Sequence, residues 1–148
     1  MLTGDALAVA SEIARGVGLA SIRLISDLKA VGASAVADTK DVLDGADGFA
    51  EVFPEDKYIV VKRLQAAGHV TGMTGDGVND APALRQAEVG IAVSSATDVA
   101  KGAASVVLTD PGLTNIMALV EQGRTIYQRI LCLLYTSPRL RNWGLRRQ

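Results

Sequence analysis

Two acidic side chains four positions apart, Asp76 and Asp80, stand in the string Thr74-Gly75-Asp76-Gly77-Val78-Asn79-Asp80-Ala81-Pro82. Its glycines permit tight backbone geometry, so the two carboxylates can converge on one hard cation such as magnesium. Asn79 adds an uncharged donor suited to a phosphoryl oxygen. The same residue types also make an ordinary surface turn, and the string alone does not choose between the two readings. Two other readings fail on position. Ala81 and Ala87 occupy places where a calcium EF-hand loop needs Gly and Glu, and Asp80 replaces the last glycine of a G-x-G-x-x-G dinucleotide loop.

A second hydroxyl-plus-glycine turn opens the chain. Thr3-Gly4-Asp5 leads into a helical pattern, where taken alone the residues read first as an ordinary N-cap at Asp5 and second as a turn whose Thr3 and following amides could hold a phosphate. Lys57 follows Pro54-Glu55-Asp56 in the first turns of another helix. It reads as a solvated lysine unless that helix carries it toward Asp76.

The elements that must position these groups alternate short β-branched runs with longer amphipathic segments, as βαβ units with a mostly parallel sheet do. Ala6, Val9, Ala10, Ile13 and Val17 space a first helix capped by Asp5, and Gly16 and Gly18 stop it. Ile22 to Ile25 reads as a short strand and Thr39 to Leu43 as a helix, in an otherwise weakly patterned stretch. Phe49 to Phe53 is a strand, and Pro54 starts a helix whose Glu55 and Asp56 suit its dipole. His69 to Thr74 is the strand leading to the Asp76 turn, followed by a short helix through Leu84 to Ala87. Val89 to Val93 and Ser105 to Leu108 are strands around a helix at Asp98 to Ala104. From Leu113, the stripe Ile116, Leu119, Val120, Gly123, Ile126, Tyr127 and Ile130 makes a long helix.

Composition sets the class. A chain of 148 residues, 49% hydrophobic and 21% charged, is the size of one domain with its own core. The net charge of -1 includes four arginines beyond Ser137, so the body is more acidic than the whole and offers nucleic acid no basic face. The lone Cys132 forms no internal disulfide, and no signal peptide opens the chain, which fits a reducing, cytosolic setting. No apolar stretch reaches the roughly 18 to 20 residues of a membrane span.

Taken together and in order, Thr3-Gly4-Asp5, then Phe53-Pro54-Glu55-Asp56-Lys57, then Met73 to Leu84 as M-T-G-D-G-V-N-D-A-P-A-L, resemble the second half of the phosphorylation domain of P-type ATPases. These are ATP-driven cation pumps, and the domain has the haloacid-dehalogenase-like fold. The resemblance runs from Met1 to about Ile130. The wording of Gly45 to Tyr58 and of Gly90 to Lys101 is most similar to the plasma-membrane proton-pump branch. It implies a Rossmann-like three-layer α/β domain at 1–112, a stalk-like helix at 113–134 leading toward an absent membrane span, and a non-family tail, expected to be disordered, at 135–148. It implies Asp76 as the ligand of catalytic Mg2+ with Asp80 supporting or sharing that site, Lys57 as the cation that neutralises phosphoryl charge, Thr3 and Asn79 as phosphoryl-binding groups, and Gly4 and Asp5 beside ATP. Phosphoryl transfer asks little more of a protein than an in-line nucleophile, a cation on the phosphoryl oxygens and fixed donors.

The family's nucleophile lies in a D-K-T-G-T string that occurs nowhere in this chain. The resemblance places that string's strand in the middle of the sheet, so the fold is expected to be incomplete, its two sides joined by helices and loops. The expectation is thus a pump fragment, exporting protons from the cytoplasmic face of the plasma membrane and inactive alone. Its partners would be the nucleotide-binding and actuator domains and the membrane helices. A soluble phosphatase of the same fold, and a non-catalytic metal- or phosphate-binding module, are the alternatives.

Overall fold

The computed structural model describes residues 1–31 and 36–136 and divides into two compact units, Met1–Pro111 and the part from Gly112 on. Among the described residues, the first unit holds every strand and six helices, in the order α1 (Leu7–Gly16), β1 (Ile22–Leu24), α2 (Ile25–Ala30), α3 (Val36–Asp44), β2 (Gly48–Ala50), α4 (Pro54–Ala66), β3 (Gly72–Gly75), α5 (Ala81–Gln86), β4 (Val89–Ala92), α6 (Asp98–Ala103) and β5 (Val106–Val107). A single 3-10 turn, Val78–Asp80, separates β3 from α5.

Every strand pair is parallel, and the pairs form two ladders. In the first, β2 lies between β1 and a bridge at Leu2, with Phe49 opposite both Arg23 and Leu2. In the second, β4 lies between β3 and β5, with Ile91 opposite Thr74 and Val106. The α/β architecture expected from the alternating pattern is the one observed. Its helix-joined division is also present: no strand pairing among the described residues links the ladders.

Helix α4 joins them through its packing. Val60 and Val61 are consecutive, about 100° apart around the helix, and so face different neighbours. Val60, with Leu64 and Ala67, packs on Phe49, Val52, Ile25, Leu28 and Leu43 of the first half. Val61 packs on Ala83, Ala87 and Met73 of the second. A third cluster, Leu84 with Ala92, Ala96 and Ala100, fills the space between β4 and helices α5 and α6 with small side chains.

Local signals account for most element ends. Pro54 stands at the first position of α4, where its missing N–H costs nothing, and Asp56 accepts from the Phe53 amide at 3.0 Å. The Thr97 side chain caps α6 by accepting from Ala100 N. Several expectations shift, among them the Phe49 to Phe53 strand, which is Gly48–Ala50 because Glu51 turns left-handed at φ 58. Asp5 does not cap the first helix: the N-cap is Ala6, without a side-chain bond, because the Asp5 carboxylate is engaged with Thr3. Strand β3 starts at Gly72, and Val70 is exposed, because the segment at His69 is still closing the C-terminus of α4 through a bond to Leu64 O. Ile25 opens helix α2, which the weak patterning there had hidden.

The described part of the second unit is dominated by α7 (Asn115–Thr136), 22 residues long and without a buried residue. Among the described residues no helix is long and apolar enough to cross a membrane. Tyr135 and Thr136, assigned above to the tail, continue this helix; the rest of that tail, 137–148, lies outside the described residues.

Candidate functional site

Parallel strands carry ligand sites at their carboxyl ends, and each sequence-marked loop leaves such an end. Thr3-Gly4-Asp5 follows the Leu2 bridge, Phe53 to Lys57 follows β2, and Asp76 follows β3.

The Asp76 loop is built around Asp80. Its carboxylate is turned into the fold, with the residue 4% exposed, although the spacing alone had allowed it to face outward with Asp76. Oδ1 accepts from Lys57 Nζ at 2.6 Å, and Oδ2 accepts from the Asp76 and Gly77 amides at 3.2 and 3.1 Å. Both oxygens are therefore engaged by the protein. Burial opposes ionisation of Asp80, but the bonds from Lys57 and the two amides outweigh it and hold the carboxyl below its ordinary range. Gly75 makes the geometry possible, since a Cβ there would lie 2.5 Å from the Asp80 Cβ.

Asp76 is consequently fixed through its backbone. Its N–H donates to Asp80, and its carbonyl accepts from Thr97 N at 2.9 Å. The Asp76 side chain is exposed, as is Asn79. Lys57 is partly buried, and its ion pair with Asp80 is the side-chain bond that ties the start of α4 to the loop after β3.

The Thr3 loop is held differently. Thr3 Oγ1 donates to Asp5 Oδ2 at 2.6 Å and accepts from the Asp5 amide at 3.2 Å. Backbone bonds link Thr3 to Phe49 and Val52, and Asp5 to Glu51. Glu51 has φ 58, a left-handed conformation unusual for a residue with a side chain. Among the described residues, no hydrogen bond joins Thr3, Gly4 or Asp5 to Lys57, Asp76 or Asn79.

Sequence reasoning missed Asp56. It stood out only as a helix-dipole acid, yet it is fully buried, with Oδ1 2.7 Å from Lys29 Nζ. A charged residue beside a helix start gives no sequence sign of burial. Lys29, which reveals it, lies in the weakly patterned stretch.

The donors present are hard oxygens, and no group of three or more His, Cys, Asp or Glu side chains gathers among the described residues. An exposed carboxylate on a fixed backbone, and a lysine ammonium bound to the same Asp80, are groups able to offer one oxygen ligand and one positive charge to a phosphoryl group.

Known proteins similar to the chain include cation-transporting ATPases. Over 88% of its length the chain is 48% identical to a putative cation-transporting ATPase of Methanocaldococcus jannaschii, and it spans 17% of that relative. Among solved structures, the catalytic domain of the CPx-ATPase CopB-B matches with a TM-score of 0.58 at 24% identity, over 80% of this chain and 37% of that one, a likeness of fold. A zinc-transporting PIB-type ATPase matches with a TM-score of 0.51 at 33% identity, over 73% of this chain and 13% of that one. The chain thus resembles the catalytic domain of P-type cation-transporting ATPases. The model of the haloacid dehalogenase-like hydrolases matches residues 1–88, more than half of the sequence, and the chain belongs to that family.

Proposed function

We propose that this chain is a part of the phosphorylation domain of an ATP-driven cation pump and supplies its magnesium- and phosphoryl-binding groups. The observation that carries the reading is the Lys57–Asp80–Asp76 arrangement. A buried carboxylate holds a lysine ammonium at 2.6 Å and, through its other oxygen, orders the loop that presents Asp76. Magnesium fits this donor set, because it keeps several waters and takes one or two carboxylates together with substrate phosphate. Asp76 would hold it, with Asp80 as the supporting group, and bound magnesium would neutralise charge on the phosphoryl oxygens of ATP. Lys57 would add a fixed positive charge, and Thr3 and Asn79 hydrogen bonds to the phosphoryl group, with Gly4 and Asp5 beside the nucleotide.

The whole assembly would place this domain on the cytoplasmic face of the plasma membrane, with nucleotide-binding and actuator domains and membrane helices as partners. The proton as transported ion rests on the wording of 45–58 and 90–101. The comparisons support a cation and nothing finer, and the names of the two structural relatives point to CPx-type and zinc pumps. A soluble phosphatase remains the second reading, favoured by the family match being to hydrolases at large.

In the complete pump, Asp76→Asn and Lys57→Met should each slow phosphoenzyme formation from ATP by roughly a hundredfold, the usual loss for one preorganised charge partner. Near-normal rates at low magnesium would refute the roles. The chain alone, which contains no D-K-T-G-T nucleophile, should show no magnesium-dependent ATP hydrolysis. Turnover that Asp76→Asn abolishes would overturn this.

A further inference from the structure

We infer that Lys29 is a positioning residue for this site, acting through Asp56 to hold Lys57 against Asp80. Lys29 lies in the last turn of α2, outside every motif noted above. Its ammonium is 2.7 Å from Oδ1 of Asp56 and 5.8 Å from the centre of the Phe53 ring. Asp56 is fully buried, and its other oxygen accepts from the Phe53 amide. Oδ1 has no hydrogen bond of good geometry, so the Lys29 charge is its compensation. A buried carboxylate that loses its counter-charge is strongly destabilised where it stands and moves toward water or takes up a proton.

The next residue along the helix is Lys57. Any movement of Asp56 displaces the first turn of α4, and a 2.6 Å ammonium–carboxylate bond does not survive a shift of an ångström unaltered. The far side of the clamp is firm. Arg63, two turns further along α4, donates to the carbonyls of Leu28 and Val31 at the end of α2, and Leu28 is fully buried in the first core. Helix α2 therefore grips α4 at two places. The Arg63 contact fixes the helix body, while Lys29 fixes the turn that bears Lys57. The geometry of a functional group is set by such supporting contacts as much as by the group itself.

The proposal rests on the reading of Lys57 as a phosphoryl-facing group, so its test has one arm independent of activity. Lysines of the 148-residue chain are acetylated under limiting reagent, and the rate at each is read by mass spectrometry, with exposed Lys40 as internal reference. In Lys29→Met, Lys57 should label several-fold faster relative to Lys40, and Lys29→Arg should restore the slow rate. Asp56→Asn, which keeps an acceptor for the Phe53 amide but loses the charge pair, should repeat the effect and serves if Lys29→Met does not fold. An unchanged relative rate at Lys57, even with a lowered Tm, would overturn the proposal, because a merely structural contact lowers stability without freeing Lys57. In the complete pump, Lys29→Met should slow phosphoenzyme formation about tenfold and have no further effect in a Lys57→Met background, as a shared pathway requires. Faster labelling with unchanged phosphorylation would sustain the clamp and instead remove Lys57 from the catalytic reading.

Discussion

The two parallel ladders answer the same problem in different ways. Each has a glycine where its backbone comes close to a neighbour, Gly48 against Met1 in the first and Gly75 against Asp80 in the second. Each has a carboxylate gripping the chain as it approaches a strand: Asp47 accepts from the Ala20 and Ser21 amides before β1, and Glu88 from the Thr71 amide before β3. Their strand-end loops differ. The loop after β3 is tied to a distant helix by a buried carboxylate with every oxygen engaged, whereas Thr3-Gly4-Asp5 is held by bonds within three residues and by backbone pairing with 49–52. Long-range, buried polar bonds fix a geometry that local turn bonds leave to the surrounding chain.

The largest expected effect tests that contrast directly. Asp80→Ala leaves the Lys57 ammonium without its partner and removes the acceptor of two amides, and should cost about 3 kcal/mol in denaturant unfolding. Asp5→Ala, which removes only the side-chain acceptor of the Thr3 hydroxyl and leaves the Asp5 amide bond in place, should cost about 0.5 kcal/mol. Similar losses for the two would erase the distinction between the loops.

A second comparison uses the glycines. Gly75→Ala sets a methyl 2.5 Å from the Asp80 Cβ, so backbone or carboxylate must move, at about 1–3 kcal/mol. Gly4→Ala meets only the Val52 carbonyl at 3.5 Å, an ordinary contact, and should be nearly silent. A tolerant Gly75 would mean that the Asp76 loop adjusts more freely than its bonding suggests. A smaller gain is expected at the other loop. Glu51→Gly relieves a left-handed backbone at φ 58 and should stabilise by about 0.5 kcal/mol, the strain relieved exceeding the chain entropy added. A loss of stability instead would show that the Glu51 side chain contributes more than its backbone strains.

Much of this was legible before any coordinates, and the exceptions share a cause. The Asp76 string, the Pro54 helix start and strand β4 follow from glycine, proline and β-branched patterning, which act over a few residues. The inward turn of Asp80, the burial of Asp56 and the role of Lys29 depend on partners 23 to 27 positions away, whose charge type is common and whose spacing carries no signature. The division of strands into two ladders was expected through the resemblance, because no local pattern shows which strand neighbours which.

The smallest effect separates the two entry clamps by pH. Hydrogen bonds from Ser21 and then Ala20 hold the Asp47 carboxyl below its ordinary 3.8, and the bond from Thr71 holds Glu88 below its ordinary 4.5. A carboxyl whose folded pKa is lowered binds its proton more readily in the unfolded chain, so its contribution is present above the unfolded value and is lost as pH falls through the folded one. The Tm of the unmodified chain should therefore decline below pH 4.5 in overlapping steps, two from these carboxyls and one from Asp80, whose pKa is lowered as well. Glu88→Ala should remove the step beginning near 4.5, and Asp47→Ala the one beginning near 3.8. Each variant should approach the Tm of the unmodified chain at the acid end, where that chain has lost the same contribution. The Met1 ammonium distinguishes the two: it bonds the Asp47 carbonyl at 2.6 Å, and its pKa is lowered by burial, with the Asp47 charge opposing that shift. N-terminal acetylation should accordingly weaken the Asp47 step and leave the Glu88 step unchanged. Equal sensitivity of both steps to acetylation would show that the Met1 charge does not act through Asp47.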